Sequence, residues 1–173
     1  QLSGNLFHVC PSLQEIKAKA ARRFLHSMPG AADCSYFLMK EGFSLDQTQI
    51  EREIKSLVNV PHQFPFEHGV TITKVEHDLC EGELAVGPDS INPGGYVHGG
   101  ALVTLADTVA GCCACSRGGD CVTANESFEF LRTAGGPKIF CRAVPKKMGR
   151  TLRVIQVELT DSAGRTVATG TFT

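Results

Sequence analysis

The sequence predicts an α+β domain in which a curved antiparallel sheet wraps around one long central helix, about 98–116, with extra N-terminal helices. Three observations carry that reading. Ala101–Cys115 is an unbroken apolar run holding a single acid, Asp107, and Ala, Leu and Cys suit a buried helix. The run shows no polar face, which predicts a helix surrounded by protein on every side. Segments before and after it alternate apolar and polar residues, the period of half-buried strands.

Taken in order, residues 13–28 favour a helix. Ala, Lys, Arg, Gln and Leu are good formers, Ser12 caps the start, and Pro29-Gly30 ends it. Lys17, Lys19, Arg22 and Arg23 make it basic, which reads as a solvated face on a helix packed against the domain, with a nucleic-acid- or membrane-facing helix as the alternative. Residues 44–46 cap a second helix over 46–59, with Ile50, Ile54, Leu57 and Val58 on one face and Pro61 beyond its end. Val70 and Ile72 alternate with Thr71 and Thr73, and Leu84 and Val86 with Glu83 and Ala85. These predict two strands joined near His77-Asp78. The central helix follows and stops at Arg117-Gly118-Gly119. Four strands are expected after it: 121–131, about 138–145, 151–160 and 165–172. The third changes phase between Val154 and Ile155, which suggests a bulge. Asp161-Ser-Ala-Gly164 is a hairpin turn.

At 173 residues the chain suits one domain with a sizeable core. A net charge of −1 gives no argument for nucleic acid or an acidic membrane as a partner. The apolar run is too short and too interrupted to span a bilayer, and Gln1–Pro11 lacks the basic start and apolar core of a signal peptide. Eight cysteines form no regular disulfide framework. Cys112, Cys113 and Cys115 crowd one turn of the helix, where small core residues are expected. Cys112-x-x-Cys115 has the formal spacing of a redox or zinc motif, but no second pair of ligands follows. Packing is the expected role, with no metal. Reduced thiols point to a cytoplasmic location.

The central helix opens at Asn92-Pro-Gly-Gly-Tyr-Val-His98-Gly99-Gly100. Glycines there leave the first backbone N–H groups uncovered, and with the positive end of the helix dipole these bind anions or polarised oxygens. Asn-Pro-x-Gly-x-x-His-Gly-Gly followed by Leu105-Ala106-Asp107 resembles the active-site signature of PaaI-like hotdog-fold acyl-CoA thioesterases. Thr123, Phe130-Leu131-Arg132 and Gly149-Arg150-Thr151 fit the same pattern. The resemblance covers roughly 46–173, and 1–45 is expected to be a separate N-terminal helical extension. It implies a hotdog fold, thioester hydrolysis, and dimers or dimers of dimers whose active sites are shared between subunits.

The chemistry assigns roles. Backbone donors aimed at the developing oxyanion stabilise thioester hydrolysis, and Gly99 and Gly100 suit that role because a side chain would block close approach. His98 is expected to fix the turn by bonding a neighbouring backbone group, with acid–base catalysis as the alternative. Asp107 is the candidate nucleophile or general base. Burying a carboxylate is costly unless it is partnered, and Thr104 or Thr108 would satisfy it in a purely structural role. Asn92 orients a water or the thioester oxygen, or else forms the turn before Pro93. The resemblance makes Thr123 a hydroxyl that assists the water, against a plain strand threonine.

Gly99 and Asp107 are eight residues apart, about 12 Å of helix at ~1.5 Å per residue. One carbonyl therefore cannot touch both on the same helix. An antiparallel second copy would bring its Asp107 to the first copy's glycines, which predicts an isologous dimer with two composite sites.

Lys146, Lys147, Arg150 and Arg153 around the turn at Gly149, together with Arg132, are candidates for binding the phosphates of coenzyme A; a solvated basic turn is the competing reading. Coenzyme A enters as part of the substrate, and no other cofactor is expected. Tyr96, Phe128 and Phe130 are candidates for an acyl pocket. Two alternatives to a thioesterase remain: a non-catalytic acyl-CoA-binding sensor on the same fold, and a hotdog hydratase or dehydratase. Intact Asn92 and Asp107 argue against the first, and the lack of the second's His-plus-acid motif against the other.

Overall fold

The computed structural model describes residues 46–173. The predicted helix over 13–28, its basic face and the expected extension over 1–45 lie outside the described residues. Within them run α1 (Gln47–Val58), α2 (Phe64–Glu67), β1 (Val70–Glu76), β2 (Leu79–Ala85), a 3-10 turn (Pro88–Ser90) and α3 (Gly99–Ala114). Then come β3 (Glu126–Phe130), β4 (Lys138–Met148), β5 (Arg153–Asp161) and β6 (Thr166–Phe172).

The strands form one sheet in the order β1-β2-β4-β5-β6-β3, with every neighbouring pair antiparallel. α3 packs against β1, β2, β4, β5 and β6, so the sheet curves around it. This is the hotdog architecture that the resemblance implies. The core is where the alternating strand faces meet α3. Leu105, Ala106, Val109 and Cys113 are fully buried against Leu84, Ile139, Val157 and Leu159. Each fully buried aliphatic side chain contributes roughly 1.5–3 kcal/mol. Gly82 lets the sheet come this close, since a Cβ there would lie 2.7 Å from Val109 Cγ2.

α1 starts on a capping box. Asp46 Oδ1 accepts from Gln49 N–H at 2.8 Å, and Asp46 N–H donates to Gln49 Oε1 at 2.9 Å. The helix then serves β1, an edge strand. Asn59 Nδ2 donates to Ile72 O and Asn59 Oδ1 accepts from Ile72 N–H, both at 2.8 Å. Gln47 Nε2 donates to Val75 O at 3.0 Å. These side chains satisfy backbone groups that an edge strand would otherwise present to another chain.

Three expectations need correction. The strand predicted over 121–131 is regular only over Glu126–Phe130, where Glu126 faces Phe172 at the end of β6; Ala124 and Asn125 still bond Thr173, and 121–123 lie outside the strand. The bulge sits opposite the phase change. Pro145 pairs with Ile155 and Lys147 with Val154, so the extra residue is Lys146 on β4. The third concerns α3, which the described residues do not enclose on all sides. Gly100 is exposed, and Val103, Thr104, Asp107, Thr108 and Gly111 are only half-buried. Their spacing of three and four residues puts them on one face. Apolar composition alone does not say that the surrounding elements cover every face of a helix.

Candidate active site

The turn before α3 is built by its own polar groups. Asn92 Oδ1 accepts from Gly94 N–H at 2.9 Å and Tyr96 N–H at 3.2 Å, an Asx turn that Gly95 completes with a φ of +79°. Asn92 N–H donates to Tyr96 O at 2.8 Å, and Val97 N–H to Ala134 O at 3.0 Å. His98 N–H donates to Ser90 O at 2.8 Å. With its oxygen committed to the turn, Asn92 has the hydrogens of Nδ2 to offer a substrate or water.

His98 is the N-cap of α3, and its Nδ1 accepts from Gly100 N–H at 2.9 Å. This is the turn-fixing role. It also corrects the expectation that both glycine amides are uncovered. The imidazole occupies Gly100 N–H, while Gly99 N–H has no protein partner among the described residues. The Phe130 ring borders that spot, since a Cβ at Gly99 would lie 3.3 Å from its edge.

Asp107 lies two turns along, half-buried, on the face of α3 that the described residues leave open. Neither threonine offered by the sequence satisfies it. Thr104 Oγ1 donates to Gly100 O at 2.9 Å and Thr108 Oγ1 to Thr104 O at 2.7 Å, both serving the helix's own carbonyls. Thr123 fills the role, its Oγ1 donating to Asp107 Oδ1 at 2.6 Å. The pair borders a groove of about 410 Å³ that is also walled by Phe64, Pro65, Val103 and Glu126. The acid and the hydroxyl are therefore together, while Asn92, His98 and Gly99 stand at the start of the helix, about 12 Å away along its axis.

The basic residues separate into two groups. Arg153 donates through Nη1 to Ala114 O and through Nη2 to Gly118 O at 3.3 Å. It caps the C-terminal end of α3, where a cation and its donors meet unsatisfied carbonyls, so its guanidinium is committed to the fold. Lys146, Lys147 and Arg150 are exposed around the β4–β5 hairpin. Arg132 is exposed at the other end of the sheet, where its N–H reaches Val167 O.

Of the aromatic candidates, Tyr96 and Phe130 are 50% and 56% exposed. Phe128 packs edge-on against Phe130, with centroids 4.9 Å apart, and against Phe172 at 6.4 Å, so it belongs partly to the core. The sequence reading missed Phe64 and Pro65 in the groove wall. The signal was available, as Phe64-Pro65-Phe66 puts a proline in the first turn of a short helix. The formal Cys112-x-x-Cys115 spacing does not bring those two thiols together. Cys112 is buried against Cys80, while Cys115 Sγ lies 3.3 Å from Cys121 Sγ. Among the described residues, no three His, Cys, Asp or Glu side chains gather as a metal site, and no helix is long and apolar enough to cross a membrane.

Comparison with known proteins gives a consistent picture. The family model described as the thioesterase superfamily matches residues 94–168, a span holding His98, Gly99, Asp107 and Thr123. The proofreading thioesterase EntH of Cronobacter sakazakii is 29% identical over 107 residues, covering 60% of this chain and 78% of that protein. A hypothetical thioesterase protein of Streptococcus pneumoniae, solved with coenzyme A, is 31% identical with a TM-score of 0.55, covering 60% of this chain and 81% of that one. A Streptococcus mutans protein solved bound to acetyl CoA is 28% identical with a TM-score of 0.57, covering 60% of this chain and 84% of that one.

Proposed function

The chain belongs to the thioesterase superfamily, and from that premise we propose that it hydrolyses an acyl-CoA to the free acid and coenzyme A, at a site shared between two copies. The observation that carries the reading is Asp107, the one acid of α3, half-buried on an open groove and held by Thr123 at 2.6 Å. The coenzyme A and acetyl CoA bound by the two streptococcal relatives support the substrate class.

In this reading Asp107 attacks the thioester carbon or activates the water that does. Thr123 holds one carboxylate oxygen, which leaves the other to face the substrate. The Gly99 N–H at the positive end of α3 polarises the carbonyl, and Asn92 Nδ2 adds a second donor. Gly100 N–H contributes only if the His98 ring turns away. Lys146, Lys147, Arg150 and Arg132 are the cations with side chains left for the coenzyme A phosphates. Phe130 and Phe64 flank the two ends of the reacting region and offer apolar surface for the acyl group.

The second copy follows from distance. Donors and acid about 12 Å apart on one helix meet at one carbonyl when a partner's α3 runs antiparallel against the open face from Gly100 to Gly111. That pairing would also cover half-buried Val103. Release of the coenzyme A thiol from a panel of acyl-CoAs, from short to long chains and aryl groups, tests the substrate class. Hydrolysis of acyl groups on other thiols with no turnover of any acyl-CoA would refute it.

A further inference from the structure

α3 ends in a thiol pair that the hydrolytic chemistry does not use. After Cys115 the chain reverses through Gly118 and Gly119, with φ values of +86° and +88°, a backbone region that glycine enters without strain. The reversal lays Cys121 back along the last turn of the helix. Its Sγ lies 3.3 Å from Cys115 Sγ and 3.6 Å from Gly111 O. A disulfide has its sulfurs about 2.05 Å apart, so closure needs a movement of roughly 1.3 Å in a short glycine-containing loop.

The two thiols are not equivalent. Cys121 lines a cavity of about 280 Å³ beside Val122, Thr123, Arg150 and Arg153, and Cys115 is not part of that lining. The hydrogen bond with Cys115 and the nearby Arg153 guanidinium pull the Cys121 thiol below its ordinary range. Its hydrogen bond to Cys121 and its burial push Cys115 up. The thiolate is the attacking form, so Cys121 reacts first and Cys115 stands behind it as a thiol. The other described cysteines, Cys80, Cys112, Cys113 and Cys141, are buried.

We propose that Cys121 and Cys115 form a redox-modification site: a hydroperoxide entering the cavity oxidises Cys121, and Cys115 closes the pair as a disulfide that draws Thr123 off Asp107. In the first step the Cys121 thiolate attacks a peroxide oxygen and the O–O bond breaks. One oxygen stays on sulfur as sulfenic acid, and the other leaves with a proton as water or an alcohol. In the second, Cys115 sulfur attacks Cys121 sulfur and the S–O bond breaks. The hydroxyl leaves as water with the Cys115 proton. Two thiols lose two electrons and two protons, and one hydroperoxide is reduced. Cys121 is two residues from Thr123, whose hydroxyl is 2.6 Å from Asp107, so the closing movement reaches the carboxylate through the backbone. The effect on turnover rests on the reading of Asp107 as the reacting acid; the cross-link does not.

The test treats the full chain with hydrogen peroxide and maps its tryptic peptides without reduction. Trypsin cuts after Arg117, between the two cysteines, so the disulfide joins two peptides. A joined pair reversible by dithiothreitol, assigned to Cys115 and Cys121 by fragmentation, is the expected result. Cys112→Ser keeps the link. Cys115→Ser abolishes it, leaves Cys121 as a sulfenic acid trapped by dimedone, and keeps basal hydrolysis. Oxidation should lower acyl-CoA turnover roughly tenfold or more, with recovery on reduction in the native sequence. No 115–121 link, or a link from Cys121 to Cys112, overturns the site. A complete link with unchanged turnover overturns the coupling to Thr123. A chain that cross-links but hydrolyses no acyl-CoA under any condition counts against the functional reading alone.

Discussion

Thr123 Oγ1 donates to Asp107 Oδ1 at 2.6 Å, and this bond ties the segment before β3 to the middle of α3. Thr123 is exposed, so water can replace its donor and the net stability gain is small; what the bond fixes is which way the carboxylate points. Thr123→Val, nearly the same shape without the donor, should lower kcat about tenfold or more while thermal stability changes little. Thr123→Ser should recover most of the loss. If the valine variant matched the native rate, the hydroxyl would have no part in positioning Asp107.

Asp107→Asn keeps the side-chain shape and an oxygen for Thr123 to reach, but removes the charge that attacks or takes a proton. The fold should persist by circular dichroism and acyl-CoA hydrolysis should fall below about a tenth, more than ~1.4 kcal/mol of barrier. A variant retaining more than that would leave the reaction without its proposed nucleophile or base.

The fold was largely legible because its signals are local. The Asp46 cap, the two-residue period of β1 and β2, and the Asp161–Gly164 turn each follow from neighbours in sequence. The candidate site was legible in part. Asn92, His98, Gly99 and Asp107 sit in one stretch, and the turn geometry agrees with their types. What escaped depends on residues distant along the chain. Nothing local says that Cys115 meets Cys121 rather than Cys112, or that Arg153 crosses to Ala114. Nor does an apolar helix declare that the face from Gly100 to Gly111 is only half-buried.

Arg153 provides a stability prediction that separates capping from substrate binding. Arg153→Ala removes a cation and two donors from the C-terminal end of α3, at a cost of about 1–2 kcal/mol. The melting temperature should fall by roughly 2–8 °C, with KM for acyl-CoA nearly unchanged. Lys147→Ala and Arg150→Ala should do the reverse, raising KM in a salt-sensitive way at constant stability. A raised KM without a stability loss in Arg153→Ala would return that residue to the phosphate-binding set.

Acid should loosen the β5–β6 hairpin. Buried Asp161 accepts from Ala163 N–H and Arg165 N–H at 3.0 Å and from Arg165 Nε at 2.8 Å. The Arg165 side chain and backbone, with Ala163, hold its carboxyl below the usual range. A depressed folded-state value means a contribution present above the unfolded value, about pH 4, and lost as pH falls through the folded one. The melting temperatures of the native chain and of Asp161→Asn should therefore differ most near about pH 7 and converge below about pH 4. A constant gap across that range would show that the charge of Asp161 is not what stabilises the turn.

The shared site can be tested by complementation. Asp107→Asn removes the acid, and Gly99→Val puts a side chain over the one glycine amide that His98 leaves uncovered. Either change damages both sites of a homodimer. When the two variants are mixed and allowed to exchange subunits, donors from one chain and acid from the other give a mixed dimer with one doubly damaged site and one intact site. At equal mixing about half the dimers are mixed and each carries one good site of two, so activity should recover toward about a quarter of the native level. Donors and acid from the same chain would leave a lesion in every site, and mixing would restore nothing. Exchange must be confirmed independently, for example by mass spectrometry of differently tagged chains. No recovery after confirmed exchange would mean that a single chain's Gly99 and Asp107 serve one carbonyl across about 12 Å of helix, or that Gly99 is not the donor, and either outcome removes the antiparallel helix pair from the mechanism.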